Sequence, residues 1–230
     1  MSGNLSQEEI DELLRRQGEA GEEADQPDDE GDLSLEERDV IGEIGNISMA
    51  NSATALSALL GHPVSITTPK VEVMTESEVR HKHQAPSAIV TVHYTAGLDG
   101  RNVFVIALPD AGVVADLMMG GAGAPADGEL TEVQISAVAE AMNQMVGAAA
   151  TATAEMLGRR VDISAPEVER LTLSAEDVDL GGSRLVRVSF DLAVGDVLET
   201  TLMQLMPLSF ARELIAGLTS AAADDVGVDP

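Results

Sequence analysis

The chain has 230 residues, 44% of them hydrophobic, no cysteine, and a formal net charge of −27. That length and apolar content suit one sizeable core, and the lack of cysteine excludes disulfides, thiolate catalysis and cysteine zinc sites. The charge argues against nucleic acid, whose phosphates would be repelled, and three Phe, one Tyr and no Trp leave little to stack on bases.

The N-terminus shows no basic stretch leading into an apolar one, so no secretory leader is read there. No apolar run approaches the ~20 residues of a membrane span, and the expected location is the cytoplasm. Residues 4–16 carry a compact helix signal. Ser6 and Glu9 form a capping box, and Leu5 and Ile10 a hydrophobic staple. Acids fill the first turn and Arg15 and Arg16 the last, as the helix dipole favours. The apolar face is only Ile10, Leu13 and Leu14. So short a helix is marginal alone, which suits a docking peptide that folds on its partner; packing on its own domain is the plainer alternative. Residues 17–33 are acidic and lack apolar periodicity, as a self-repelling linker does. Residues 1–37 carry −12 of the −27 net charge, so the acidity is concentrated outside the expected core. It fits a basic or mixed-charge protein partner, solubility, or a salt-rich habitat.

From residue 39 onward the chain carries one pattern twice. Asp39-Val-Ile-Gly-Glu43-Ile-Gly-Asn46, followed by Pro69, returns as Ser136-Ala-Val-Ala-Glu140-Ala-Met-Asn143, followed by Pro166, every matched position 97 residues later. Positions i, i+4 and i+7 share a helix face within roughly a 60° arc, so Asp39, Glu43 and Asn46 project together, as do Ser136, Glu140 and Asn143. The apolar side is expected to hold Ile41, Ile44, Ser48, Ala55 and Leu59 in the first helix. In the second it is Val138, Ala141, Met145, Ala149, Ala152 and Met156. A single Glu/Asn pair on a helix is usually a solvated face. A second copy with the same proline weakens that reading, and Asn is a poor helix-interior residue.

Leu33-Ser34…Glu37 and Leu130-Thr131…Gln134 predict helix starts with a staple and a capping box, and Gly61 and Gly158 predict the stops, giving helices over 34–60 and 131–157. Gly42 and Gly45 each cost about 1 kcal/mol in a helix interior; they serve either a partner's close approach or close packing inside the domain. Three strand-like segments and a short helix follow each long helix: 64–74, 88–94, 103–108 and 111–119, then 161–173, 185–192, 198–206 and 209–218. Pro109 and Pro207 end the third strands. Residues 186–192 alternate apolar and polar, so one sheet face is expected to be wet and the sheet at least partly antiparallel. The Gly-rich run 120–128 reads as a linker, since it lacks the Gly-Lys-[Ser/Thr] ending of a phosphate loop. His81 and His83 have no third ligand in sight, so they read as loop or hairpin residues and no metal site is expected. Residues 221–230 read as a tail.

The doubled [Asp/Ser]-x3-Glu-x2-Asn-x22-Pro pattern resembles the signature of the CheC/FliY family of CheY-phosphate phosphatases, over about residues 34–220. The segment Leu5-Ser6-Gln7…Ile10-Asp11…Leu13-Leu14 is similar to the CheY-phosphate-binding peptide of flagellar switch proteins. The combination is that of FliY-type members, whose usual FliN-like C-terminal domain this chain is expected to lack. The resemblance implies an α/β (α+β) fold: a single internally duplicated domain, repeats 34–120 and 131–220. Two long helices would lie side by side on a central mixed sheet, with short helices added. It also implies that Asn46 and Asn143 orient the water that hydrolyses the aspartyl phosphate of CheY. Glu43 and Glu140 would pair with the regulator's lysine, and Asp39 and Ser136 would aid docking. No cofactor is implied in this chain; the Mg2+ belongs to the phosphorylated regulator. Partners implied are phosphorylated CheY and the switch proteins FliM, FliG and FliN-like, at the cytoplasmic face of the flagellar basal body. The alternative is a switch component that binds CheY-phosphate without hydrolysing it, its Glu/Asn pairs being residual.

Overall fold

The computed structural model describes residues 31–125, 130–173 and 178–226. Helix α1 (Leu35–Leu60) begins where Ser34 and Glu37 close a capping box: Ser34 Oγ accepts from Glu37 N at 3.1 Å, and Ser34 N donates to Glu37 Oε2 at 2.7 Å. Helix α4 (Glu132–Leu157) repeats the device with Thr131 and Gln134. Leu33 and Leu130, just before the caps, are both buried. Four residues into α1, however, stands Arg38, whose Nε donates to Leu33 O at 3.1 Å. The first helix start is therefore held by a hydrogen bond in place of the expected apolar staple. Gly61 and Gly158 end the helices in left-handed conformation, φ 68° and 60°, which only glycine adopts freely.

Strands β1 (Val64–Ile66) and β2 (Lys70–Thr75) are one expected strand broken around Pro69, and β5 (Asp162–Ile163) and β6 (Glu167–Leu171) another broken around Pro166. Proline has no N–H to give a sheet ladder, so it sits at the break. Helix α2 (Glu76–Lys82) follows β2, and its last turn holds His81, with His83 as C-cap; these histidines are helix-end residues, not loop or hairpin ones. Strands β3 (Ser87–Ala96) and β4 (Arg101–Ala107) lead into α3 (Leu108–Met118); β7 (Arg184–Val194) and β8 (Leu198–Pro207) lead into α5 (Leu208–Val226). The last helix runs past 218 through Ala221–Ala223, good helix formers that the sequence reading placed in a tail.

The sheet order is β1-β7-β8-β4-β3-β5, with β2 also on β7 and β6 also on β3. Every pairing among the described residues is antiparallel, so the expected mixed sheet is an antiparallel one. The reason lies in the repeat. Equivalent strands β4 and β8 meet at the centre, Phe104 opposite Gln204, and a twofold relation between the halves makes equivalent strands run oppositely. The halves also exchange strands: β1 and β2 pair with β7, while β5 and β6 pair with β3. Their registers agree to one residue, Lys70 opposite Ser189 in one half and Glu167 opposite Thr91 in the other.

One sheet face packs against the helices. Val186, Val188, Phe190 and Leu192 join Phe104, Ile106, Leu202 and Met206 in a core with Ile41, Ile44, Met49, Leu56, Met145 and Ala149. The other face is not simply wet. Met74, Val79, Ile89, Val103, Val105, Leu173, Val178, Leu180 and Leu205 form a second, smaller core beside α2.

Candidate functional site

Helices α1 and α4 lie side by side and antiparallel: Ser48 Oγ meets Thr153 Oγ1 at 3.3 Å, and Ser52 Oγ donates to Met145 O at 2.8 Å. These hydroxyls sit in an otherwise apolar seam and find partners there, as buried polar groups must. The seam differs from the expected one in α1, where Met49, Ser52, Ala53, Leu56 and Leu60 are buried, while Ala55 and Leu59 are half-buried. Leu59, five whole turns from Ile41, keeps Ile41's direction, but the buried stripe moves round α1 from the side of Ile41, Ile44 and Ser48 to that of Ala53, Leu56 and Leu60. In α4, Val138, Ala141, Met145, Ala149 and Ala152 are buried as expected, with Met156 half-buried.

The opposite surface of each helix carries the doubled pattern. Asp39 and Glu43 are exposed and Asn46 half-buried on α1; Ser136, Glu140 and Asn143 are all exposed on α4. The structure brings each trio onto one ridge but does not bring the two ridges together. With Ser48 opposite Thr153 on antiparallel helices, Glu140 lies level with the end of α1, roughly 25 Å from Glu43 along the axis at 1.5 Å per residue. These are two separate sites on a packed pair of helices.

Within the ridges the side chains are not equivalent. Among the described residues, the side chains of Glu43, Asn46 and Asn143 have no hydrogen-bond or ion-pair partner, so each amide is free to meet a ligand. Glu140 is engaged: Gln144 Nε2 donates to its Oε1 at 2.8 Å. Ser136 is turned back onto its own helix, Oγ donating to Glu132 O at 3.0 Å, whereas its counterpart Asp39 is an exposed carboxylate. Sequence reading passed over Gln144 and its counterpart Ile47, an apolar side chain 38% exposed. Both lie four residues after the Glu, and that spacing alone placed them on the ridge.

Gly45, beside Asn46, serves packing inside the domain. A Cβ there would stand 3.2 Å from Phe190 Cζ and 3.5 Å from Pro69 Cγ. The proline of the pattern is thus next to the helix that carries the Glu and Asn, which accounts for its fixed distance in the sequence. Gly42 has only Val71 Cγ2 within reach, at 3.8 Å.

Other polar clusters are elsewhere. Arg187 lies on the far sheet face, ion-paired with Glu72 and donating from Nη1 to His83 Nε2 at 3.2 Å. The His83 ring is held below its ordinary pKa by burial, then by Arg187 and Lys82. Tyr94 accepts from Asn102 Nδ2 at 3.1 Å, and burial pushes its hydroxyl up to about 12. Among the described residues, no three His, Asp or Glu side chains gather where they could hold a metal ion, and no helix is long and apolar enough to cross a membrane. The peptide residues Leu5, Ser6, Gln7, Ile10, Asp11, Leu13 and Leu14 lie outside the described residues.

Comparison with known proteins matches this geometry to a family. The model of the CheC-like family fits residues 36–73 and 133–170, two windows offset by the repeat distance, each holding one Glu/Asn pair and its proline. The chain is 45% identical over 234 residues to the flagellar motor switch phosphatase FliY of Bacillus subtilis (strain 168), aligning along all of this chain and 62% of that protein. It thus spans less than two thirds of that relative's length. The crystal structure of Thermotoga maritima FliY superposes with a TM-score of 0.77 at 37% identity, over 82% of this chain and 98% of that one. The FliM middle domain from H. pylori shares the fold, with a TM-score of 0.65 at 14% identity over 80% of this chain and 99% of that one.

Proposed function

Because this chain belongs to the CheC-like family, in its FliY branch, we propose that it is a phosphatase hydrolysing the aspartyl phosphate of the response regulator CheY. The observation that carries the reading is the pair of ridges: two complete Glu/Asn pairs, solvent-facing on packed helices, three of their four side chains without a partner inside the domain. An aspartyl phosphate already sits beside its own regulator's Mg2+ and lysine, and phosphoryl transfer is governed by positioning and electrostatics. A water held in line with the phosphorus is the missing part. An Asn side chain both donates and accepts, so Asn46 or Asn143 can fix such a water. Glu43 or Glu140 supplies the charge that pairs with the regulator's lysine and fixes docking register. Asp39 adds charge beside the first pair, and Ser136 stands at the matching place in the second. No base of shifted pKa is asked of this chain.

The setting we propose is the flagellar switch at the cytoplasmic face of the basal body, with FliM, FliG and FliN-like proteins as neighbours and residues 5–14 recruiting CheY-phosphate. The name of the B. subtilis relative, a flagellar motor switch phosphatase, supports the switch setting. The test is phosphate release from phosphorylated CheY at fixed Mg2+ and substoichiometric chain. Asn46→Ala combined with Asn143→Ala is expected to lower turnover at least about a hundredfold while CheY-phosphate still binds. Unchanged hydrolysis in that double variant would sink the reading; binding with no hydrolysis by the intact chain would make it a sensor component instead.

A further inference from the structure

Both copies keep Glu and Asn but differ in the residue that follows each Asn. We infer that this residue makes the sites unequal: Ile47 makes the first the tighter docking site, and Gln144 makes the second one that must be opened before it can dock. The inference rests on the phosphatase reading above.

Ile47 lies one turn from Glu43 and next to Asn46, 38% exposed on a polar ridge. A β-branched apolar side chain is a mediocre helix former and gains nothing while facing water. It becomes favourable when a partner's apolar surface covers it. Glu43 beside it has no partner, and Asp39 adds a second exposed carboxylate. This ridge therefore fits a regulator surface that sets an apolar patch beside a cationic group. On the second ridge the same place holds Gln144, whose amide occupies a carboxylate oxygen of Glu140 at 2.8 Å, while Ser136 has turned to a helix carbonyl. A regulator docking here has to displace the Gln144 amide and meets no apolar side chain next to the Asn; the exposed Val133 stands about two turns before Glu140. Gln144 is thus a positioning residue that acts through Glu140.

The sites separate cleanly in the full chain. Asn143→Ala leaves only the first active, and Asn46→Ala only the second. With CheY phosphorylated by acetyl phosphate in Mg2+, the first-site protein is expected to show the lower KM. Adding Ile47→Gln to it should raise KM roughly three- to tenfold with kcat within about twofold, and Ile47→Leu should keep KM low. Adding Gln144→Ile to the second-site protein should lower KM by a similar factor. Equal KM values that the exchange does not move overturn the inference and leave the phosphatase reading standing, as does a change confined to kcat. Absence of turnover by the intact chain overturns both.

Discussion

An asparagine inside a helix gives up stability for what its amide can do. Asn46 and Asn143 each stand mid-helix with no partner inside the domain, so their helix cost is not offset locally. Replacing both by Ala should therefore stabilise the fold by about 1 kcal/mol, a rise in Tm of roughly 2–4 °C at this size, in the same variant that is expected to lose dephosphorylation. Thermal unfolding followed by circular dichroism checks it, and a lower Tm would mean the amides hold the domain together. His83 makes a second residue-scale case. Arginine only donates, so for Nη1 of Arg187 to bond His83 Nε2 the ring must be neutral, with its proton on Nδ1. A folded pKa below the unfolded value near 6.5 means the unfolded chain takes up the proton first. The contribution is thus fully present above about pH 6.5 and is lost as the pH falls towards the folded value. His83→Gln should flatten the dependence of Tm on pH between about 5 and 7; an unchanged slope would place the titration elsewhere.

At the scale of elements, Arg80 ties α2 across the smaller core. Arg80 donates to Leu173 O at 2.9 Å and Val178 O at 2.6 Å, and its Nε bonds Glu76 at 2.8 Å, joining α2 to Leu173 and Val178 over the smaller core. Arg80→Ala should cost about 2 kcal/mol, since it leaves charged hydrogen bonds unmade, a loss that thermal unfolding would show. Phosphate release should be unaffected, because both ridges lie on the helix layer of the other sheet face; a fall in kcat would show that the faces are coupled. The same region shows what sequence pattern can and cannot carry. The long helices were legible because Ser34/Glu37, Thr131/Gln134, Gly61 and Gly158 fix both ends by local chemistry. Helix α2 was missed because Glu76–Lys82 has a single buried residue, Val79, and so no periodic face. Its Thr75/Glu78 capping box was nevertheless there to be read. The alternation from Val186 to Leu192 correctly placed one face on the core. It could not show that Leu185 and its neighbours would be roofed by residues distant in sequence, since period two reports only that the faces differ. Glu43, Asn46, Glu140 and Asn143 were found as ridge residues by spacing, but whether a ridge side chain is free or held, as Glu140 is by Gln144, depends on rotamers that spacing does not specify.

For the whole molecule, the strand exchange is what makes the two repeats a single domain. Within either half, among the described residues, the sole strand pairing is one hairpin, β3–β4 or β7–β8. All else crosses between halves, including β1 and β2 on β7, β5 and β6 on β3, and β4 on β8. A lone hairpin is marginal in water, so residues 31–125 expressed alone should not fold as a monomer. Two copies, however, can rebuild the sheet, because a true twofold would place β1 and β2 of each copy on β3 of the other and pair β4 with β4. The registers already agree to one residue between halves, and in the central pairing β4 residues would replace Met203, Gln204 and Leu205 opposite Val105, Phe104 and Val103. The fragment is therefore expected to be unfolded when dilute and a folded dimer when concentrated, with a Tm that rises with concentration as mass action requires. Sedimentation and circular dichroism over a hundredfold dilution decide it, and a folded monomer would mean that the exchange is dispensable. Such a dimer would carry the Ile47-type ridge twice and the Gln144-type ridge nowhere, so its KM for phosphorylated CheY should match that of an Asn143→Ala chain that likewise begins at residue 31.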